Sequence, residues 1–238
     1  MRVLLQRPLG RFLAAGGAFA LVALAALAFY IYGPSTSGNS GAAGASGAAT
    51  AAPTLAPTAN GKVFTIDSSA SQASFTMHEV LFGQPKTVVG TTNAVSGQIL
   101  VVQSTPSQSK VGQIRVDLTG LATDSDMRNQ TIQNRILETG DSANQYAVFV
   151  TQSISGLPSG IAVGQKVSFT LTGNLTIHQV TRSVTFNATA TLASPTTLTG
   201  QAQATVRYSD FNIAIPNVPS VTGVSDTTAL ALAFTAKA

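Results

Sequence analysis

The stretch that decides the fold runs from Val167 to Leu192 and reads VSFTLTGNLTIHQVTRSVTFNATATL. In its first half, apolar residues occupy one parity and hydroxyl and amide residues the other, with Gly173 on the apolar side. After a polar break at 178–182 the same alternation resumes. A period of two is typical of a half-buried strand. The stretch therefore predicts an antiparallel hairpin with a loop of four or five residues.

Runs of the same kind, separated by turn residues, follow one another from Gly61 onward and predict one β domain at 61–238. The predicted strands are Val63–Ile66, Ala73–Glu79, Thr87–Thr92, Ser96–Val102, Lys110–Leu118, Tyr146–Ser153, Lys166–Thr176, Ser183–Leu192, Leu198–Tyr208 and Thr227–Ala236.

One short helix is predicted between these strands. Asp124 or Ser125 can cap its start, Ile132 and Ile136 lie four residues apart on one face, and Gly140 follows its end. An antiparallel sheet of eight or more strands with one helix packs as a sandwich or curls into a barrel.

The composition excludes several classes of function. The chain has 238 residues and no cysteine, so it has no disulfide, no thiolate nucleophile and no cysteine zinc site. Its formal charge is +4, but Arg2, Arg7 and Arg11 all lie at the start of the chain. Without them the chain is nearly neutral, which argues against a nucleic acid partner.

The first 60 residues predict a membrane anchor and a linker. Residues 1–11 carry three arginines, and 12–32 are uncharged and apolar, long enough for a transmembrane helix. The positive-inside rule then places the N-terminus in the cytoplasm and the β domain outside the cell membrane. The alternative is a cleaved signal peptide, with small residues at Ala23–Ala28, and a secreted protein. Residues 33–60 are Gly, Ala, Ser, Thr and Pro rich and predict a flexible linker.

The search for catalytic or metal-binding residues favours a protein that is not an enzyme. His78 and His178 lie near strand ends, and the sequence contains no G-x-S-x-G motif. Asp124–Asp126 fails as a calcium loop, because Asn129 stands where glycine is required and Arg135 where glutamate is required. We therefore predict no catalytic residue, no metal site and no cofactor.

The inward-facing apolar residues leave two interpretations open. They could fill the interior and form only a core, or they could line a cavity that holds one small ligand. The candidates are Phe75, Met77, Ile114, Val116, Phe149, Phe169, Leu171, Phe186, Leu230 and Phe234.

Several motifs, in their order along the chain, resemble the YceI-like polyisoprenoid-binding domain family, and the resemblance covers essentially all of 61–238. The motifs are Phe64-Thr65-Ile66-Asp67, Ala73-Ser74-Phe75-Thr76-Met77-His78, Val89-Gly90, Gly97-Gln98-Ile99, Arg128, Arg135 with Leu137-Glu138-Thr139, the run from Gly173 to Arg182, Ser209-Asp210-Phe211 and Ser225-Asp226. Three departures are Gln179 and Asn212, where glycine is common, and Ala147, where proline is usual.

The resemblance implies a lipocalin-like antiparallel β-barrel with an elongated apolar cavity and a binding role. The implied partner is a polyisoprenoid or other long-chain amphiphile, with the membrane reached through the N-terminal helix. Parity and resemblance together nominate the cavity lining: Phe75, Met77, Phe149, Phe169, Leu171 and Phe186. The alternative is a structural or interaction β module with a filled barrel, displayed at the cell surface. The sequence predicts no oligomeric state.

Overall fold

The computed structural model describes residues 54–238. The predicted tail at 1–11, the predicted transmembrane helix at 12–32 and most of the predicted linker at 33–60 lie outside the described residues. Leu55, near the end of that linker, is described, and its backbone nitrogen donates to Gln98 Oε1 at 2.8 Å. From residue 54 onward, no helix combines the length and the apolarity needed to cross a bilayer.

Thirteen strands form one sheet within residues 54–238. They are β1 Lys62–Ile66, β2 Gln72–Leu81, β3 Gln84–Thr92, β4 Val95–Ser96, β5 Gln98–Val101, β6 Lys110–Val111, β7 Ile114–Asp117, β8 Tyr146–Ser155, β9 Lys166–Ile177, β10 Val180–Ser194, β11 Thr197–Arg207, β12 Val221–Thr222 and β13 Thr227–Lys237.

The sheet is antiparallel and strongly curled. Its main path is β4-β7-β8-β9-β10-β11-β13-β1-β5-β6. β13 also pairs with β2, which pairs with β3 and with the short β12. Only Asn93 and Ala94 separate β3 from β4, so the chain itself connects the β2–β3 side with the β4–β7 side. The result is a half-barrel with one short helix. The predicted antiparallel, mostly-β fold with one short helix is confirmed, whereas the predicted barrel is present only as a half-barrel.

The hairpin of β9 and β10 has a tighter turn than predicted. Only His178 and Gln179 lie between the strands, with φ of 48° and 62°. Positive φ at both positions defines a type I′ turn, whose twist matches that of the flanking strands. The predicted loop of four or five residues is therefore wrong. Thr181 belongs to β10, where it pairs with Thr176, and its hydroxyl lies 2.8 Å from that of Thr176.

Two predicted strands are interrupted at glycine. Gly97 separates β4 from β5, and Gly112 with Gln113 separates β6 from β7. A Cβ on Gly97 would lie 2.5 Å from Ile114 Cδ1, so the backbone passes close to a neighbouring strand. β4 pairs with β7, whereas β5 pairs with β1 and β6. Each break therefore lies where the chain changes its partner strand.

The helical part is a short α-helix that changes its winding. α1 spans Asp126–Thr131 and continues as a π-helical turn over Ile132–Ile136. Ser125 is the N-cap, and its Oγ accepts from the backbone nitrogen of Arg128 at 3.4 Å. The turn ends at Ile136 with Leu137 as its C-cap, and the next residue, Glu138, adopts φ of 49°. The expected glycine terminator at 140 is therefore not the residue with the left-handed conformation.

Short 3₁₀ helices complete the described secondary structure, at Ser68–Ala70, Pro106–Gln108, Ser142–Asn144 and Tyr208–Phe211. The core has a main cluster inside the curled sheet and a smaller one below α1. The smaller cluster is built on Leu118, Leu121, Ile132 and Leu137, each at most 9% exposed. The helical segment is thereby fixed over one part of the sheet interior.

Candidate functional site

The main candidate site is a cavity of about 240 Å³ inside the curled sheet, below the α1 segment. Ile132 and Ile136 of the π-helical turn close one side of it, as does the segment at 208–215. The remaining wall comes from the inner face of the sheet, mainly Ala73, Phe75, Met77, Ile114, Val116, Phe149, Leu171, Leu175, Ile177, Phe186, Ala202, Val206, Leu230 and Leu232.

The wall of this cavity is almost entirely hydrocarbon. Of the described residues that line it, four carry a hydroxyl group and none carries a charge at neutral pH; the four are Ser74, Thr92, Tyr208 and Thr228. Thr92 Oγ1 already accepts from the backbone nitrogen of Ala94 at 3.2 Å. Such a cavity binds by removing apolar surface from water, and it offers little to an ionised ligand.

Glycines on the inner face leave room for three phenylalanine rings to lie against the sheet. A Cβ on Gly90 would overlap the ring of Phe75, its direct partner on β2. A Cβ on Gly173 would meet Phe149 Cζ at 2.7 Å. Gly200 faces Phe234 across the β11–β13 ladder in the same way. These rings cover the bare glycine backbone and do not fill the cavity.

A bulge in β8 determines which of its residues face the interior. The register of β8 on β9 shifts between Thr151 and Ser153, so Phe149 and Ile154 both face the cavity side although they differ in parity. The Phe149 ring meets Phe186 edge to face, with centroids 5.0 Å apart and planes at 71°. This aromatic pair fixes the β8–β10 part of the wall.

Charged residues hold the start of the helical segment onto the sheet. Arg128 of α1 donates to Glu79 Oε1 at 3.0 Å and to Asp124 Oδ1 at 2.6 Å. Lys86 of β3 donates to Asp124 Oδ2 at 2.5 Å. The bond from Lys86 lowers the pKa of Asp124, and the charge of Arg128 contributes to the same shift. Glu79 is 9% exposed, so its charge depends on Arg128 for compensation.

The end of the helical segment contacts the β9–β10 turn. His178 Nε2 lies 3.3 Å from Glu138 Oε2, and Gln179 Nε2 donates to Asn144 Oδ1 at 3.0 Å. His78 lies elsewhere, with Nδ1 3.1 Å from Thr87 Oγ1. Each histidine thus has a local structural contact. Within 54–238 no three histidine or acidic side chains cluster closely enough to hold a metal ion.

A second cavity of about 90 Å³ lies beside the first. Its walls are mostly apolar, with Ser109 and Lys110 at one side. The apolar lining includes Ile66, Ile99, Val101, Ile154, Ile161, Val167, Phe169, Leu192, Leu198 and Phe234. Ile114, Leu171, Ala202 and Leu232 line both cavities. The interior of the sheet is therefore divided and not filled.

The structure distributes the six nominated residues over both cavities. The main cavity is lined by Phe75, Met77, Phe149, Leu171 and Phe186, whereas Phe169 lines the second cavity only. Their contact with a ligand stays a prediction. Sequence reasoning did not nominate Ile132 and Ile136 as lining, although their four-residue spacing placed them on one face. It also missed Phe211, Ile213 and Ile215, which alternate with Asn212 and Ala214 but lie outside the predicted strands.

A curled antiparallel sheet around an apolar cavity, with a short helix across it, defines the lipocalin-like class of folds. Residues 64–236 match the YceI-like domain, and the chain belongs to that family. No curated protein matches the sequence.

Two solved structures show the same fold at low identity. One is a polyisoprenoid binding domain from Saccharophagus degradans implicated in plant cell wall breakdown. It has a TM-score of 0.58 and 18% identity over 74% of this chain and 98% of that chain. The other is Burkholderia cenocepacia BcnA, with a TM-score of 0.56 and 20% identity over 71% of this chain and 98% of that chain.

Proposed function

We propose that this protein is a membrane-tethered, extracytoplasmic binding protein that holds a polyisoprenoid or similar amphiphilic lipid in its apolar cavity. The observation that carries the proposal is the cavity of about 240 Å³ with an uncharged, hydrocarbon wall. Membership of the YceI-like family and the likeness to a polyisoprenoid binding domain support a lipid as the ligand.

The binding free energy in this proposal comes from desolvation. Each methylene group that moves from water into the cavity contributes about 0.8 kcal/mol. Because no charged side chain is among the described residues that line the cavity, affinity should change little between low and physiological salt.

The tether is proposed from the sequence. Residues 12–32 have the length and the apolarity of a transmembrane helix, and the arginines before them support an orientation with the β domain outside the cell. A tethered domain on a flexible linker would exchange a water-insoluble ligand with the adjacent bilayer without releasing it into bulk water.

The rival function was a structural or interaction module with a filled interior. Inward residues such as Phe75, Phe186 and Leu230 remain partly accessible because they face the cavity. An interior with room of this size favours the binding function over the rival.

One experiment tests both parts of the proposal. The full-length chain is produced in cells, and membranes are washed with alkaline carbonate before the protein is purified. We expect the chain to stay with the membranes, and organic extraction of the purified protein followed by mass spectrometry to release an isoprenoid-type lipid. Recovery in the wash would contradict the tether. An extract without lipid, together with no uptake of added polyprenol, would contradict the binding function.

A further inference from the structure

The four residues that line both cavities form a layer across the sheet interior. Ile114 belongs to β7, Leu171 to β9, Ala202 to β11 and Leu232 to β13. We call this layer the partition. Its members come from four different strands around the curled sheet, so together they lie between the main cavity and the second cavity.

The partition is firmly packed on three of its four positions. Ile114 and Leu171 are each 8% exposed, and Ala202 is 7% exposed. Leu232 is less buried, and it stands directly opposite Ala202 in the β11–β13 ladder. Leu232 therefore places a large side chain directly beside Ala202, the smallest residue of the partition.

The volumes on the two sides correspond to different lengths of hydrocarbon. A dry apolar cavity of about 150 Å³ takes a molecule the size of benzene, with six carbons. By the same scale, the main cavity of about 240 Å³ takes roughly ten carbons, which is two isoprene units. The second cavity, at about 90 Å³, would add roughly four more, close to a third unit.

We propose that the partition is a length filter: it limits the hydrocarbon buried through the main cavity to about two isoprene units and separates a ligand held there from the second cavity. This inference rests on the proposed lipid-binding function and specifies it. Carbons beyond the second unit remain in contact with water or with a membrane, so they add little to the affinity. Removing the bulk of Leu232 joins the two cavities and admits a third unit.

The test compares prenyl alcohols of two, three and four isoprene units, which share one hydroxyl head and differ only in chain length. Their affinities for the purified full-length chain are measured by isothermal titration calorimetry, for wild type and for Leu232→Ala. For wild type we expect the affinity to level off after the two-unit alcohol. For Leu232→Ala we expect the three-unit alcohol to bind more than about tenfold tighter than the two-unit alcohol, because each further buried methylene is worth roughly fourfold.

Leu198→Ala is the matched control, because Leu198 lines the second cavity alone and is 5% exposed. It enlarges that cavity without opening the partition, so its length profile should equal that of wild type. Leu232→Val serves as a milder change should the alanine variant fold poorly, and circular dichroism monitors folding.

The outcomes separate the length filter from the binding function. An unchanged profile in both Leu232 variants, an equal shift in Leu198→Ala, or a wild-type affinity that keeps rising to four units would overturn the filter while leaving lipid binding intact. Failure of wild type to bind any of the three alcohols would overturn the proposed function itself.

Discussion

At the scale of single residues, the shape of the main cavity depends on glycines as much as on apolar side chains. Phe75 faces Gly90 across the β2–β3 ladder and covers the space that a Cβ would occupy. Without that space the ring has to turn toward the cavity. A glycine in mid-strand is otherwise unfavourable by about 0.5–1 kcal/mol relative to alanine. The Phe75 ring can therefore lie against the sheet only because Gly90 has no Cβ.

We predict that Gly90→Ala reduces ligand uptake by more than its loss of stability can explain. The new methyl group displaces the Phe75 ring into the cavity, and overpacking of this kind costs about 1–3 kcal/mol. Uptake of the two-unit prenyl alcohol and the thermal unfolding midpoint are the two measurements. Gly120→Ala is the control, since a Cβ there meets no atom within 4 Å. Uptake by Gly90→Ala equal to that of Gly120→Ala would show that the ring does not respond as we describe.

Two departures from the family pattern also have an explanation at this scale. Gln179 and Asn212, where the family often has glycine, adopt φ of 62° and 55°. Glycine reaches that region without the steric cost that a Cβ brings. The side chain of Gln179 offsets part of the cost by its bond to Asn144. The left-handed backbone at both positions is a physical reason to expect glycine there.

At the scale of elements, the α1 segment depends on a charged link to the sheet. Glu79 has the same parity on β2 as Phe75 and Met77, so a carboxylate follows them in the inward row of that strand. Arg128 compensates this carboxylate from α1. The ion pair therefore lies at the edge of the apolar lining, where α1 contacts β2.

We predict that Arg128→Met destabilises the protein by about 3 kcal/mol, because it leaves the buried Glu79 without a cation. The double variant Glu79→Gln with Arg128→Met should be less destabilised than Arg128→Met alone, since no buried charge remains. Urea unfolding measures both, and hydrogen exchange of the α1 amides should accelerate in the single variant.

The exposed pair of Arg207 and Asp226 provides the control for this prediction. Their side chains are 63% and 66% exposed and lie 3.5 Å apart, so Arg207→Met should cost less than about 1 kcal/mol. Equal losses of stability in Arg128→Met and Arg207→Met would mean that the ion pair with Glu79 does not hold the helix.

The sequence predicted the existence of this helix better than its details. Capping chemistry placed its start at Asp124 or Ser125, and the structure selects Ser125. Asp124 instead faces Lys86, which lies 38 residues earlier in the chain. Local patterns carry no information on such a distant partner.

At the scale of the whole molecule, an ion pair connects the first and last strands of the described domain. Lys237 of β13 donates to Asp67 Oδ2 at 2.5 Å, just beyond β1. The bond from Lys237, followed by that from the Ser69 hydroxyl, lowers the pKa of Asp67 from 3.8 to about 2. A carboxyl group whose pKa is lower in the folded state stabilises the fold above its unfolded pKa and loses that effect as the pH falls.

We therefore predict that Asp67 contributes stability that is complete above about pH 5 and disappears between about pH 4 and pH 2. Asp67→Asn should lower the urea midpoint at neutral pH and flatten the acid limb of the stability curve in that window. Lys237→Gln should reproduce most of the effect, and the double variant should add little to either. A wild-type and an Asp67→Asn curve that stay parallel from pH 7 to pH 2 would contradict the assignment.

At this scale, the periodicity of the sequence determined how much of the fold could be predicted. Alternation identified the strands and placed Phe149, Leu171 and Phe186 on the inner face, because the face on which a residue lies depends only on the pattern of its own strand. It did not separate Phe169 from these residues, because the division of the interior is made by side chains from four strands. It also merged β6 with β7, although the inward residues change from odd (Val111) to even (Ile114, Val116) across Gly112 and Gln113. The interior volume is a property of the assembled sheet and not of any one segment.

The pairing of β13 determines when the sheet can be completed during synthesis. One edge of β13 pairs with β11, and the other is shared between β2 and β1. The two strands made first therefore gain one of their neighbours only when the last strand of the domain has left the ribosome. Contacts so distant in sequence form slowly, because a long loop must close before they give any stabilisation. For almost the whole of translation the nascent domain remains incompletely folded, which is the state in which a polypeptide can be threaded through a translocation channel.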